Sequence, residues 1–248
     1  MYELQQICRF MEQWAPPALA EEWDNPGLLV DAGSLVRRVL VTLDITPAVV
    51  EEAHRLGCQL VVSHHPVIFK PVRRLQSADA AFLLARYGIS ALCAHTNLDA
   101  AEGGVNDVLA GLLELEDVQP LEGLGRVGDR DSISPAQLAE QVGKLLGAPV
   151  LLADAGLPIT RVAVVGGSGG EFFEAAARAG AQCLVTGEAS HHHGLDALEQ
   201  GVSVIVAGHF ATEWPIVPEM ARRLRQAFGE LEVLVSGSNR PPFHLAGR

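Results

Sequence analysis

No apolar run in the sequence approaches the roughly 18 residues that a membrane-crossing helix needs, so neither a span nor a membrane partner is expected. Clusters of lysine or arginine are absent too: 18 basic residues stand against 30 acidic ones, for a formal charge of −12. Neutralising a nucleic-acid backbone takes clustered cations, so broad nucleic-acid binding is excluded, although a local basic pocket is not. Cysteine is scarce and scattered. Cys8, Cys58, Cys93 and Cys183 form no Cys-x-x-Cys pair, which removes zinc-ribbon and thioredoxin-like readings and leaves buried free thiols in a reducing compartment. The opening residues 1–10 read as an amphipathic helix. They have no basic n-region and no apolar h-region, so no secretory signal is read there and the expected location is cytoplasmic.

What is present is an α/β pattern. With 248 residues, 48% of them hydrophobic, the chain has room for one large α/β domain or two small ones. The apolar, β-branched run at 59–62, bounded by Gly57 and Pro66, predicts a buried strand ending in His64 and His65. Ligands bind at the carboxyl ends of strands in open α/β sheets. Adjacent histidines in extended chain point opposite ways, so they serve two ions, or one ion and one supporting partner. Around this strand the sequence predicts a helix over 3–13, a turn at Trp23-Asp24-Asn25-Pro26-Gly27, and a strand over 39–43 ending in Asp44. A helix from Pro47 to Leu56 follows, with Thr46 as its cap and Gly57 as its stop. Further on come a helix near 78–85, a strand over 89–94, a helix capped by Asn106, a connection over 117–135, a helix over 135–146 and a strand over 150–153.

The chain repeats itself. Residues 38–62, shifted by 123 positions, lie on 161–185 without a gap and with nine identities in 25 positions, among them Arg38/Arg161, Gly57/Gly180 and Gln59/Gln182. The expectation is therefore a duplicated three-layer α/β/α fold. Its two similar halves, 1–122 and 123–248, share a cleft, and the C-terminal segment is free to exchange between them. Each half continues to a short apolar strand that ends in His-x-x-x-carboxylate: His95 with Asp99, and His209 with Glu213. At the start of a helix, residues i and i+4 share a face and can converge on one ion. His64 and His65 have Gly187 and Glu188 as counterparts. A two-fold arrangement would gather His64, His65, His95, Asp99, Glu188, His209 and Glu213 at one place. Imidazoles with a few carboxylates suit zinc, iron, manganese or nickel rather than magnesium or calcium. There are enough of them for two divalent ions and a bridging carboxylate.

A competing reading starts from Gly166-Gly167-Ser168-Gly169-Gly170, which fits the G-x-S-x-G nucleophile elbow with Asp196 and His209 following in order. No oxyanion segment accompanies it, and the repeat sets Ser168 opposite Ile45, an ordinary turn position. A tight turn that needs small residues is preferred. His191-His192-His193 reads as an exposed helix start. Lys70, Arg73 and Arg74 lie where they could hold an anionic substrate, with a solvated loop as the equal alternative.

The stretches Trp23-Asp24-Asn25, Ser63-His64-His65-Pro66, His95 to Ala100, Gly104-Val105-Asn106-Asp107, Val165-Gly166-Gly167, Thr186-Gly187-Glu188 and Gly208-His209 to Glu213 together resemble the NGG-one-interacting-factor-three-like family, often labelled GTP cyclohydrolase I type 2 homologs. The resemblance implies a duplicated α/β fold assembled as a toroidal homohexamer with a dinuclear metal centre. It implies His64, His65, Asp99, His209 and Glu213 as ligands, with Glu213 bridging. His95 and Glu188 are then the proton-handling, catalytic candidates. The function expected is hydrolysis of a small molecule, a nucleotide or heterocycle, by metal-bridged hydroxide. A ring-shaped metal-binding regulatory or interaction protein without catalysis is the alternative.

Overall fold

The structure, a computed structural model, describes residues 1–33 and 35–244. It divides into two compact units: Met1–Ala101 together with Ile216–Arg248, and Glu102–Pro215. The closing segment thus belongs with the first part of the chain.

The first unit is built on a five-stranded sheet in the order Glu232–Val235, Arg38–Thr42, Leu60–Ser63, Ser90–Cys93, Gly27–Val30, parallel except for the last strand. Leu60–Ser63 and Ser90–Cys93 are buried throughout, which is why they read as short continuous apolar runs without alternation. Leu40, Val61 and Ala91 pack under the helices Pro47–Leu56 and Ala80–Tyr87, against Val49, Val50, Ala53, Leu83 and Leu84. The alternate side chains face the other way, where Leu4–Trp14 and Ile216–Ala227 pack against the sheet. Helix Pro47–Leu56 begins and ends as its sequence predicts. The Thr46 hydroxyl accepts from the Val49 N–H at 3.3 Å, and Gly57 closes the helix at φ +68°.

The second unit has a six-stranded sheet in the order Glu116–Leu121, Gly125–Ile133, Ile159–Val165, Cys183–Thr186, Ser203–Val206, Leu151–Ala153. Val162, Val164, Cys183, Val185 and Ile205 pack on one side with residues of helices Val105–Leu112 and Pro135–Leu146. Ala163, Val165, Leu184 and Val204 pack on the other with Phe173, Ala176 and Ala197 of helices Phe173–Arg178 and His191–Glu199. This is the expected three-layer α/β/α arrangement. The four cysteines are free and buried, as expected. Among the described residues no helix is long and apolar enough to cross a membrane.

The repeat has a physical basis in identical hydrogen bonds. The Gln59 carboxamide oxygen accepts from the Arg37 and Arg38 N–H groups, and its nitrogen donates to the Gly57 carbonyl. Gln182 does the same for Thr160, Arg161 and Gly180. Arg38 donates to the Leu56 carbonyl, and Arg161 to that of Ala179. The same 123-residue offset reaches further back than the sequence comparison showed. The Asp31 carboxylate accepts from Gly33 N–H, as Asp154 does from Gly156 N–H, and the Ala32 and Ala155 N–H groups between them donate to Ser90 Oγ and Ser203 Oγ, two serines outside that offset.

Two expectations need correction. Residues 117–135 are not a plain connection: Glu116–Leu121 and Gly125–Ile133 form an antiparallel hairpin on the edge of the six-stranded sheet. Its Pro120 is tolerated because the strand is an edge strand. Asn106 is not a helix cap either. Gly104 holds that position, and the Asn106 side chain spans from the Leu124 carbonyl to the Gly166 N–H.

Beyond strand Glu232–Val235 the chain is strapped to Glu52, whose carboxylate accepts from Ser236 Oγ (2.6 Å), Gly237 N (2.9 Å) and Ser238 N (3.1 Å). Partial burial alone would raise this carboxyl's pKa, but the three donors outweigh it and lower the pKa. A depressed carboxyl pKa contributes stability that is present above the ordinary value of 4.5 and lost as the pH falls through the folded value. Glu52→Gln is therefore expected to cost about 1 kcal/mol at neutral pH. Urea titrations of the two proteins should converge below that pH.

Candidate metal centre

The sheet of the first unit delivers three imidazoles to one place. Strand Leu60–Ser63 ends at His64 and His65, and the neighbouring Ser90–Cys93 ends just before His95. The ring centroids lie 5.0 Å (His64–His65), 5.3 Å (His64–His95) and 5.5 Å (His65–His95) apart. One ring nitrogen from each lies within 4.8 Å of the others. Like-polarity groups crowd in this way when something between them is worth holding.

Each ring is fixed from behind through Nδ1. His64, fully buried, sets Nδ1 at 2.9 Å from the Ala94 carbonyl oxygen. His65 Nδ1 is 2.7 Å from Asp44 Oδ1, and His95 Nδ1 is 2.7 Å from Asp24 Oδ1. A carbonyl or carboxylate oxygen can only accept, so Nδ1 carries the proton in all three. In the neutral ring, Nε2 is then the lone pair turned to the cluster. Carboxylate-backed histidine with the far nitrogen presented is how metal-ligating imidazoles are oriented. His64 Nε2 lies 3.5 Å from Asp99 Oδ1. Two electron-rich atoms at that distance suit a cation. Asp24 is the most firmly held of the supports. Its side chain is wholly enclosed and also accepts from Thr96 N–H (3.0 Å), Thr96 Oγ1 (2.5 Å) and Asn25 N–H (2.7 Å). Burial pulls its pKa upward, yet the bonds from His95 and Thr96 prevail and lower it to about 2, so the anion persists at any physiological pH.

The second unit carries the other His-x-x-x-carboxylate. After strand Ser203–Val206 the chain turns at Gly208, φ +89°, into the short helix His209–Glu213. His209 Nε2 is 3.0 Å from Glu213 Oε2, and its Nδ1 is 3.4 Å from Glu188 Oε1. Glu213 is buried and Glu188 is about half exposed. The glycine run explains itself here. Gly167 has φ +64°, and a Cβ on it would run into the Glu213 carboxylate. A Cβ on Gly187 would stand 2.5 Å from the Gly167 carbonyl oxygen and 2.7 Å from His209 Cα. Thr212 Oγ1 accepts from Gly167 N–H at 3.1 Å and Asn106 Oδ1 from Gly166 N–H at 2.8 Å, which fixes the loop beside Glu213. Ser168, Glu188 and His193 also line a cleft of about 400 Å³.

Comparison with known proteins settles the kinship. The model of the family described as Duf34/NIF3 (NGG1p interacting factor 3) matches residues 2–242. The chain belongs to the Duf34/NIF3 family. A Clostridium acetobutylicum protein named GTP cyclohydrolase 1 type 2 homolog is 31% identical, over 97% of this chain and 98% of its own length. The NGG1-interacting factor 3 of Saccharomyces cerevisiae is 34% identical, over 98% and 97%. Among solved structures, a hypothetical protein of Staphylococcus aureus is 27% identical, with a TM-score of 0.91 over 98% of this chain and 99% of that one.

In this Duf34/NIF3 chain the structure brings His64, His65, His95 and Asp99 together in one unit, and Glu188, His209 and Glu213 in the other. Both ring nitrogens of His209 face glutamates, which leaves the Ser168–His209–Asp196 triad without support. His191 and His192 are exposed as expected, while His193 serves the helix start, its Nδ1 3.3 Å from the Ser190 N–H. Sequence reasoning missed the supporting roles of Asp24, Asp44, Asn106 and Thr212. Asp24 and Asn106 stood inside the family motifs, where an Asx turn and a helix cap were the default explanations. Asp44 had no signal beyond its place at a strand's carboxyl end.

Proposed function

We propose that this Duf34/NIF3 protein is a metal-dependent hydrolase of a small molecule. Two divalent cations, zinc, iron, manganese or nickel, would be held by His64, His65, Asp99, His209 and Glu213. The observation that carries this reading is the set of three imidazoles whose Nδ1 protons are all committed to acceptors, so that His64 and His65 present Nε2 as a ligand and His95 presents it as a base. The donor set fits: neutral nitrogens and a few carboxylates suit borderline transition metals. Such a pair of ions, when bound, supplies Lewis acidity and an activated water near neutral pH. The chain's own residues do the rest. Asp24 and Asp44 hold His95 and His65 in one tautomer. His95 moves a proton at Nε2, and Glu188, half exposed beside His209, is the second proton-handling group, open to solvent. A toroidal homohexamer and a cytoplasmic setting complete the proposal.

The test is hydrolysis of a nucleotide and phosphoester panel by wild type and by His95→Ala. Removing a group that moves the proton should cost about a hundredfold or more in kcat, with metal content unchanged. Full metal occupancy with no turnover on any member of the panel would instead favour the interaction-protein reading, which the name of the yeast relative recommends.

A further inference from the structure

We propose that Trp23 and Phe69 form a stacking subsite for a planar heteroaromatic anion beside the histidine cluster. Its use as a substrate subsite rests on the hydrolase reading above. Trp23 is 60% and Phe69 43% exposed, although both are large apolar rings. The two meet edge to face at 5.9 Å, and each stands edge to face with His95, at 6.2 and 6.3 Å. The other tryptophans have partners over their faces: Trp14 lies under the Arg223 guanidinium at 4.2 Å, and Trp214 stacks on Phe210 at 5.0 Å and 15°.

The exposed pair is held in place by its neighbours in sequence. Asp24, next to Trp23, is bonded to His95 and Thr96. Asn25 Nδ2 donates to the carbonyl of Ile68, next to Phe69, at 2.6 Å. Two loops are thereby laced together so that their aromatic rings flank an imidazole of the candidate centre. A rigid, half-open aromatic notch costs little entropy to occupy and accepts any flat π system.

The charge on the same loop selects among flat ligands. Lys70, Arg73 and Arg74 follow within five residues of Phe69, are exposed, and make no ion pair among the described residues. In a chain of net charge −12 such a trio is a local attractor for an anion. A ring with an anionic tail, as in a nucleotide, satisfies the notch and the arm together.

The experiment uses the full chain with guanosine, GTP and ribose 5-phosphate as probes, read by tryptophan emission and by equilibrium dialysis, with metal content measured in parallel. Guanosine and GTP should quench saturably and ribose 5-phosphate should not. Trp23→Leu should abolish the quench and weaken GTP binding about tenfold, and Phe69→Leu should weaken it by a similar factor. Replacing Lys70, Arg73 and Arg74 by serine should weaken GTP but leave guanosine unchanged. Metal content should be the same in every variant. The proposal is overturned if neither guanosine nor GTP quenches, or if the quench survives Trp23→Leu. It is also overturned if Trp23→Leu changes the mass of the protein in solution, because the pair would then be a contact between copies. A metal-free wild type would sink the hydrolase reading while the quench still decides the subsite.

Discussion

Purified Asp99→Ala/Glu213→Ala protein is expected to carry at most about one tenth of the divalent metal bound to wild type, measured by elemental analysis on protein from the same expression medium. The reasoning is local to each pair. His64 Nδ1 donates to the Ala94 carbonyl, so Nε2 meets Asp99 Oδ1 at 3.5 Å as lone pair against carboxylate. His209 Nε2 stands 3.0 Å from Glu213 Oε2 in the second unit. A cation turns the His64–Asp99 repulsion into coordination and can take the place of a proton between His209 and Glu213, and removing the carboxylates takes away both charge and ligand. Retention of one ion after losing a ligand is common, so both carboxylates are removed together. Chelation should lower the thermal midpoint of wild type and leave that of the double variant unmoved. Equal metal content in the two proteins would remove the proposal.

The reading of this fold from sequence succeeded where the signal was local or repeated. Gly57 after an apolar helical pattern, Thr46-Pro47 before it, and the offset of 123 residues all translate directly into backbone geometry: a left-handed helix stop, a capped first turn and a doubled strand–helix–strand unit. The His-x-x-x-carboxylate pair was legible for the same reason, since i and i+4 fix each other once the helix starts. What failed depended on partners far along the chain. Residues 117–135 looked like a connection because three glycines and two prolines interrupt them. An edge hairpin tolerates Pro120, and the close approach of Gly128 to the Glu116 carbonyl oxygen, where a Cβ would stand at 2.8 Å, demands glycine. Asn106 looked like a cap because nothing in its neighbourhood reveals Gly166, sixty residues away, as its partner. The carboxylates behind the histidines are the same case. Asp24 and His95 are 71 positions apart, Asp44 and His65 are 21, and no periodicity links them.

The longest of these links ends at Asn239, and it yields the second large effect. Asn239 is buried, and its Oδ1 accepts from Leu43 N–H (2.9 Å), Asp44 N–H (3.0 Å) and Thr42 Oγ1 (3.0 Å), while its Nδ2 donates to Asp44 Oδ2 at 3.1 Å. One amide therefore does two things. It satisfies the backbone donors where strand Arg38–Thr42 ends, and it helps to hold the carboxylate that orients His65. Asn239→Ala should cost about 2–4 kcal/mol, the penalty for stranding the buried Leu43 N–H and the part-buried Asp44 N–H, measured by urea denaturation with chelator present so that bound metal adds nothing. Asp44→Ala instead removes the direct support of His65 and should weaken metal binding about 10–100-fold, with a smaller loss of metal-free stability because Asn239 still serves the Leu43 and Asp44 backbone. The two variants thus separate folding from ligand orientation along one chain of bonds. Asn239→Ala protein as stable as wild type in chelator would show that the Leu43 and Asp44 N–H groups find other acceptors, and that this C-terminal amide does not brace the strand end.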